Sequence, residues 1–111
     1  MTELEIIQKT LDEHKGEDIS TIDVSEFSPF ATHYVLATAQ NPRALAALQD
    51  HVEEELAKAG YEIVIHEGEP DSGWVITQAD DVVVHIFLEA NRRVINLEEL
   101  LDRMQEKVHK A

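Results

Sequence analysis

Apolar positions along the 111-residue chain recur with a helical period in three places and alternate or run together in the stretches between. Leu4, Ile7 and Leu11 mark one helix face; Thr2 followed by Glu5 forms a capping box ahead of them and Gly16 a stop. Ile22 and Val24 then alternate with Thr21, Asp23 and Ser25, and after a turn at Ser28-Pro29 a second extended run covers 33–38. Asn41 before Pro42 reads as an N-cap with proline in the first helical position, and Leu45, Leu48, Val52 and Leu56 line a helix ending at Gly60. Three strands are predicted next, at 61–66, 73–77 and 81–88, with turn residues at 67–72. Asn96 is expected to cap a last helix carrying Leu97, Leu100, Leu101, Met104 and Val108, with Lys107 and Lys110 at its negative dipole end.

The element order is therefore αββαβββα. No Gly- or Ser-rich linker, repeat or low-complexity tract interrupts it, so residues 1–111 are expected to form a single α/β (α+β) domain, one sheet flanked by helices. The run Val82-Val83-Val84 has the character of a strand covered on both faces and belongs near the sheet centre. At this length, folding buries roughly two-thirds of the surface that the unfolded chain exposes, enough for one core.

Charge narrows the partners. Twenty-three acidic side chains face nine Lys and Arg, a formal net charge of -14, in a chain whose 43% apolar content is ordinary for a folded domain. A surface this negative repels phosphate backbones over roughly a Debye length, about 8 Å at physiological salt. Free nucleic acid and anionic membranes are poor partners, and a basic protein is a better one; the plainer reading is that the acidity serves solubility. The absence of cysteine excludes disulfides, thiolate nucleophiles and Cys-based zinc sites. The N-terminus lacks the basic start and apolar run of a signal peptide, and the longest apolar stretch, 82–88, contains His85, so a soluble, cytoplasmic protein is expected.

Catalytic patterns are missing where they would be sought. The four glycines form no GxGxxG or GxxxxGK[ST] loop, and there is no GxSxG elbow; Ser20, Ser25, Ser28 and Ser72 read as turn residues. Asp80-Asp81 resembles a paired carboxylate, but strand neighbours point to opposite faces, and a turn or strand-start role fits better. His51 and Glu55 lie one helical turn apart, yet two ligands do not close a metal site. His85, in the apolar strand, is expected to be buried and hydrogen-bonded to backbone or carboxylate, whereas His33 and His66 have no evident partner. Trp74 suits a core or an interface equally. Arg92 and Arg93, between Glu89 and Glu98-Glu99, read as surface salt-bridge partners.

The segment 73–88, Gly-Trp-Val-Ile-Thr-Gln-Ala-Asp-Asp-Val-Val-Val-His-Ile-Phe-Leu, followed by Arg93 and Leu97-Glu98-Glu99-Leu100-Leu101, closely resembles the ribosomal silencing factor family, also called RsfS or Iojap. The likeness extends to 16–19 and 22–24 and to 34–38. It implies a mixed five-stranded sheet similar to nucleotidyltransferases but without their catalytic motif, and no cofactor or metal. It also implies a translational repressor that binds ribosomal protein L fourteen on the large subunit and blocks joining of the small subunit when nutrients are scarce. Carried over by position, the partner-binding residues are Trp74, Ala79, Asp80 and Asp81. Ala79 stands where a larger apolar residue is usual, and Asp80 replaces a usual glycine. Asp81, His85, Arg93 and Glu98 match signature positions. A degenerate nucleotidyltransferase-like enzyme and a generic protein-binding adaptor are the competing readings. An exposed strand edge, or the apolar face of the last helix, could also form a homodimer.

Overall fold

The capping signals act where they stand. In the computed structural model, which describes residues 1–26 and 28–110 and side chains as far as Met104, Thr2 accepts a hydrogen bond from the Glu5 amide at 3.2 Å. The Glu5 carboxylate returns one from the Thr2 amide at 3.0 Å. Helix α1, Glu3–Glu13, begins there and buries Ile7 and Leu11. Asn41 likewise accepts from the Ala44 amide at 2.8 Å and starts α2, Pro42–Lys58, which buries Leu45, Leu48, Val52 and Leu56. The strands are β1, Glu17–Asp23; β2, His33–Ala39; β3, Ile65–Glu67; β4, Trp74–Gln78; and β5, Val82–Leu88, with a 3-10 turn at Pro70–Ser72.

These five strands form one mixed sheet in the order β1-β2-β5-β4-β3, with β2 parallel to β5 and every other pairing antiparallel. The Val82-Val83-Val84 strand is central, as expected, and every residue from Val82 to Phe87 is buried. Alternation along the strands splits the core into two layers. On one face α1 and α2 pack on Val35, Ala37, Val75, Val84 and Ile86. On the other, Val83 packs with Val24, Ala31 and Leu101, bordered by Ile22, Tyr34 and Ile76.

Some expectations are corrected. β1 begins at Glu17, earlier than the alternation at 21–25 suggested, and Val24 is buried beyond its end. Ser20 lies within β1, not in a turn. β3 is only three residues long: of the strand expected at 61–66, just Ile65 and His66 pair with β4, and the pairing runs on to Glu67. After β5 comes a helix that the pattern did not announce, α3, Glu89–Ile95, so the order is αββαβββαα. It lacks an apolar stripe, its Val94 being 86% exposed. Asn96 stands between two helices: with φ 46° it takes the left-handed conformation that closes α3, and it directly precedes α4, Leu97–Lys110, where its carbonyl accepts the Leu100 amide at 3.3 Å while its side chain donates to Glu99 instead of accepting a first-turn amide. Val108, Lys107 and Lys110 carry expectations whose side chains lie outside the described residues.

Arg92 is also not a surface ion-pair partner. Its side chain is 13% exposed and ties α3 and α4 to the sheet, donating to Glu98 at 2.9 Å, to the Asp18 carbonyl at 2.7 Å, to the Thr38 hydroxyl at 2.8 Å and to Ser20 at 3.3 Å. Arg93, by contrast, is exposed and 3.9 Å from Glu89. A comparable clamp holds the opposite end of the sheet, where the buried Glu3 carboxylate accepts the Asp80 and Asp81 amides, both at 2.9 Å. Glutamine keeps one acceptor and turns the other toward a donor, so Glu3→Gln is expected to lower unfolding stability by about 1–3 kcal/mol in urea titrations.

Candidate functional site

Trp74 owes its place to the turn before it. Gly73 has φ 85°, and a Cβ there would collide with the Asn91 amide, whose Nδ2 in turn donates to the Ser72 carbonyl at 2.9 Å. Gly68, at φ 93°, brings the preceding loop so close that a Cβ would run into the Trp74 carbonyl. These contacts fix the first residue of β4 directly opposite Phe87 of β5. The indole stacks on Phe87, centroids 5.3 Å apart and planes 20° from parallel, and its Nε1–H donates to His85 Nδ1 at 3.2 Å. Tyr34 from β2 extends the row, its ring 4.8 Å from that of His85.

The row lies on the sheet face away from α1 and α2. Phe87 and His85 are buried beneath it, while Trp74, Tyr34 and Ile76 remain half-buried. Exposed carboxylates of Glu67, Glu69 and Asp71 follow the same loop into Trp74. The arrangement is thus an apolar, aromatic surface with an acidic flank.

The remaining sequence-derived positions gather at the other end of β4. Trp74 and Gln78 are the ends of that strand, about 13 Å apart at the usual rise, and Ala79, Asp80 and Asp81 form the turn beyond. Ala79 is 8% exposed and packs in the core under α1 and α2. Asp80 and Asp81 present exposed side chains while their amides hold Glu3. Gln78 donates to the Asp80 and Phe30 carbonyls, both at 3.0 Å, and Phe30 is 80% exposed beside them. Nothing in the sequence marked Phe30. The four expected positions therefore lie at two ends of the sheet.

The histidine expectations change in detail. His85 is buried as expected, but its partner is the Trp74 indole instead of backbone or carboxylate. His66 does have a partner, Glu53 at 2.6 Å, which also accepts from Thr77 at 2.7 Å; the Nδ1 of His33 lies 3.0 Å from the Thr32 hydroxyl. His51 stacks on His14 at 3.8 Å, and Glu55 faces Lys58 at 3.5 Å, so that pair is not brought together as ligands. Among the described residues no three histidine or acidic side chains cluster so as to hold a metal ion, and no described helix is long and apolar enough to cross a membrane.

The sequence pattern of the family described as "Ribosomal silencing factor during starvation" matches residues 1–110. The chain belongs to that family. A ribosomal silencing factor of Chromobacterium violaceum is 36% identical over 92 residues, covering 83% of this chain and 75% of that protein; one from Haemophilus influenzae is 31% identical over 100 residues, covering 90% and 98%. The fold agrees with a crystal structure of a Chromobacterium violaceum protein, TM-score 0.85 at 34% identity over 92% of this chain and 88% of that one. It also agrees with one from Bacillus halodurans, TM-score 0.78 at 25% identity over 87% and 90%.

In this family member the titration of His85 has a measurable consequence. Burial pushes its imidazole from 6.5 down to about 4, so between those values the unfolded chain binds a proton that the native ring refuses. The corresponding stability is complete above about pH 6.5 and is lost as pH falls toward 4, at up to about 1.4 kcal/mol per pH unit. Urea midpoints measured across this window are expected to fall, and His85→Phe, which cannot titrate, is expected to flatten that part of the profile.

Proposed function

We propose that this chain is a translational repressor that binds the large ribosomal subunit through ribosomal protein L fourteen and blocks joining of the small subunit, lowering translation under nutrient limitation. The observation that carries the reading is Trp74: a large aromatic held rigidly by Phe87 and His85, yet left half-exposed on a sheet face. Rigid, partly exposed aromatics with an apolar surround are what interface anchors are made of. Membership of the family supports the ribosome as the partner.

Charge supports a protein as the surface contacted. Residues 1–88, which build the sheet, α1 and α2, hold 18 acidic against four basic side chains, whereas residues 89–111 hold five of each. The whole excess of negative charge lies on the part of the chain that carries Trp74. It complements a basic ribosomal protein and repels exposed RNA.

Occlusion needs affinity and position, with no chemistry. A standard interface covers about 800 Å² on each partner, nearly 30 Å across. It can reach from Trp74 over Ile76 to Asp80 and Asp81 at the far end of β4. In this reading Trp74 is the anchor, the two aspartates form an acidic rim, and Ala79 acts by shaping the turn, since its side chain is buried.

Purified protein is expected to co-sediment with isolated large subunits and to reduce their joining to small subunits. Trp74→Ala should weaken the binding at least about tenfold, and raising the salt concentration should slow association. Absence of both co-sedimentation and any effect on joining would sink the proposal.

A further inference from the structure

His85 is an expensive residue for the centre of a sheet. It is 5% exposed in β5, and one of its nitrogens, Nε2, has no hydrogen-bond partner among the described residues. An unmade buried polar group is costly enough that it calls for an explanation. The other nitrogen supplies one: Nδ1 lies 3.2 Å from Trp74 Nε1, and because an indole N–H can only donate, Nδ1 must accept. The neutral ring therefore carries its proton on Nε2, the nitrogen without a partner. Burial keeps the ring neutral through the physiological range, so the acceptor is always available.

The indole has a single polar atom, and this bond points it into the protein. Stacking on Phe87 fixes the ring plane, while the bond to His85 fixes the rotation of the ring within that plane. What Trp74 leaves accessible on its ring is carbon.

We infer that His85 is a positioning residue for the docking surface: it holds the Trp74 N–H inward, so that the ring meets its partner with carbon alone and the partner's receiving pocket is apolar there. This rests on the docking reading above, and it adds the chemistry of the contact. A partner offering a carbonyl or carboxylate to the indole nitrogen would have to break the internal bond first, which discriminates against such surfaces.

The free chain tests the geometry without any partner. Two-dimensional ¹H–¹⁵N spectra of the imidazole are expected to show the Nε2–H tautomer for His85, with the Trp74 indole N–H exchanging much more slowly than in a free indole. The Nδ1–H tautomer, or free-indole exchange, would overturn the inference. For the partner side, Trp74 is replaced by benzothienylalanine, the same shape with sulfur in place of N–H, in the wild-type and His85→Phe chains. Affinity for large subunits is then measured by co-sedimentation.

Each single change is expected to cost about fivefold, the weight of one neutral hydrogen bond, and the two together still about fivefold because they remove the same bond. His85→Gln, which retains an acceptor, should stay within about twofold of wild type; it also covers the case in which His85→Phe fails to fold, as seen by circular dichroism. A loss confined to the benzothienylalanine change, with His85→Phe neutral or tighter, would show that the partner itself takes the indole N–H; losses that multiply to about 25-fold would show that the two residues act independently; and an unchanged affinity in both single variants would show that ring orientation is irrelevant; each of these results overturns the inference. A purely structural His85 would lower the unfolding midpoint and leave the indole resonance in place. If Trp74→Ala leaves ribosome binding intact, the docking reading fails, and the spectra of the free chain still decide whether His85 holds the ring.

Discussion

Burial of β5 on both faces is the constraint from which the rest of the structure follows. A strand with no solvated side must be apolar in both directions, which Val82, Val83, Val84, Ile86 and Phe87 satisfy. It must also be flanked by strands on both edges, which β2 and β4 provide. Any polar side chain on it has to find its partner inside the protein. His85 is the one such residue in the strand, and the neighbouring strand answers it with Trp74. The same constraint that makes the core thus holds the half-buried indole of Trp74 by a stack and a hydrogen bond.

Around that strand the two ends of the sheet are closed by different polar devices. At the start of β5, Glu3 reaches from α1 to the amides of the β4–β5 turn and satisfies two of its donors. At its end, Arg92 uses three nitrogens to join α3 and α4 to β1 and β2. Because the guanidinium is planar and always charged, it can satisfy a carbonyl, two hydroxyls and a carboxylate at once in a way that lysine could not. Apolar contacts there are fewer, with Leu101 the one fully committed side chain of α4 among those described and Leu100 half exposed.

This difference explains how much of the molecule could be read from its sequence. Elements held by periodic apolar faces and local caps, α1, α2, β2, β4 and β5, were legible because their stabilising partners are either three or four residues away or spread along a regular stripe. α3 was not, since its position depends on Arg92 reaching residues more than fifty positions earlier, and no local pattern encodes that. Asn96 was legible only in part for a related reason: it precedes α4 as expected, but the residue type that caps a helix start also tolerates the left-handed conformation that ends one. At the candidate site, Trp74 was legible by residue type and by the glycine turn ahead of it. Its hydrogen bond to His85 was not, because it joins diagonal neighbours on adjacent strands and depends on register. That Ala79 points inward, and Phe30 outward beside the same turn, likewise follows from three-dimensional packing alone.

Charge is uneven along the chain. Negative charge is concentrated on residues 1–88 and balanced on residues 89–111, but much of it sits on α1 and α2, on the sheet face away from Trp74, so it favours a basic partner without choosing the face. Long-range attraction of this kind speeds an encounter but decays within about a Debye length. In the proposed docking, the final contact depends on what the indole presents. With its N–H committed to His85, the ring offers area and shape, which require a complementary apolar recess and reward no polar substitute. In the proposed docking, net charge favours a basic partner, and the buried histidine beneath Trp74 sets the chemistry that the indole can meet.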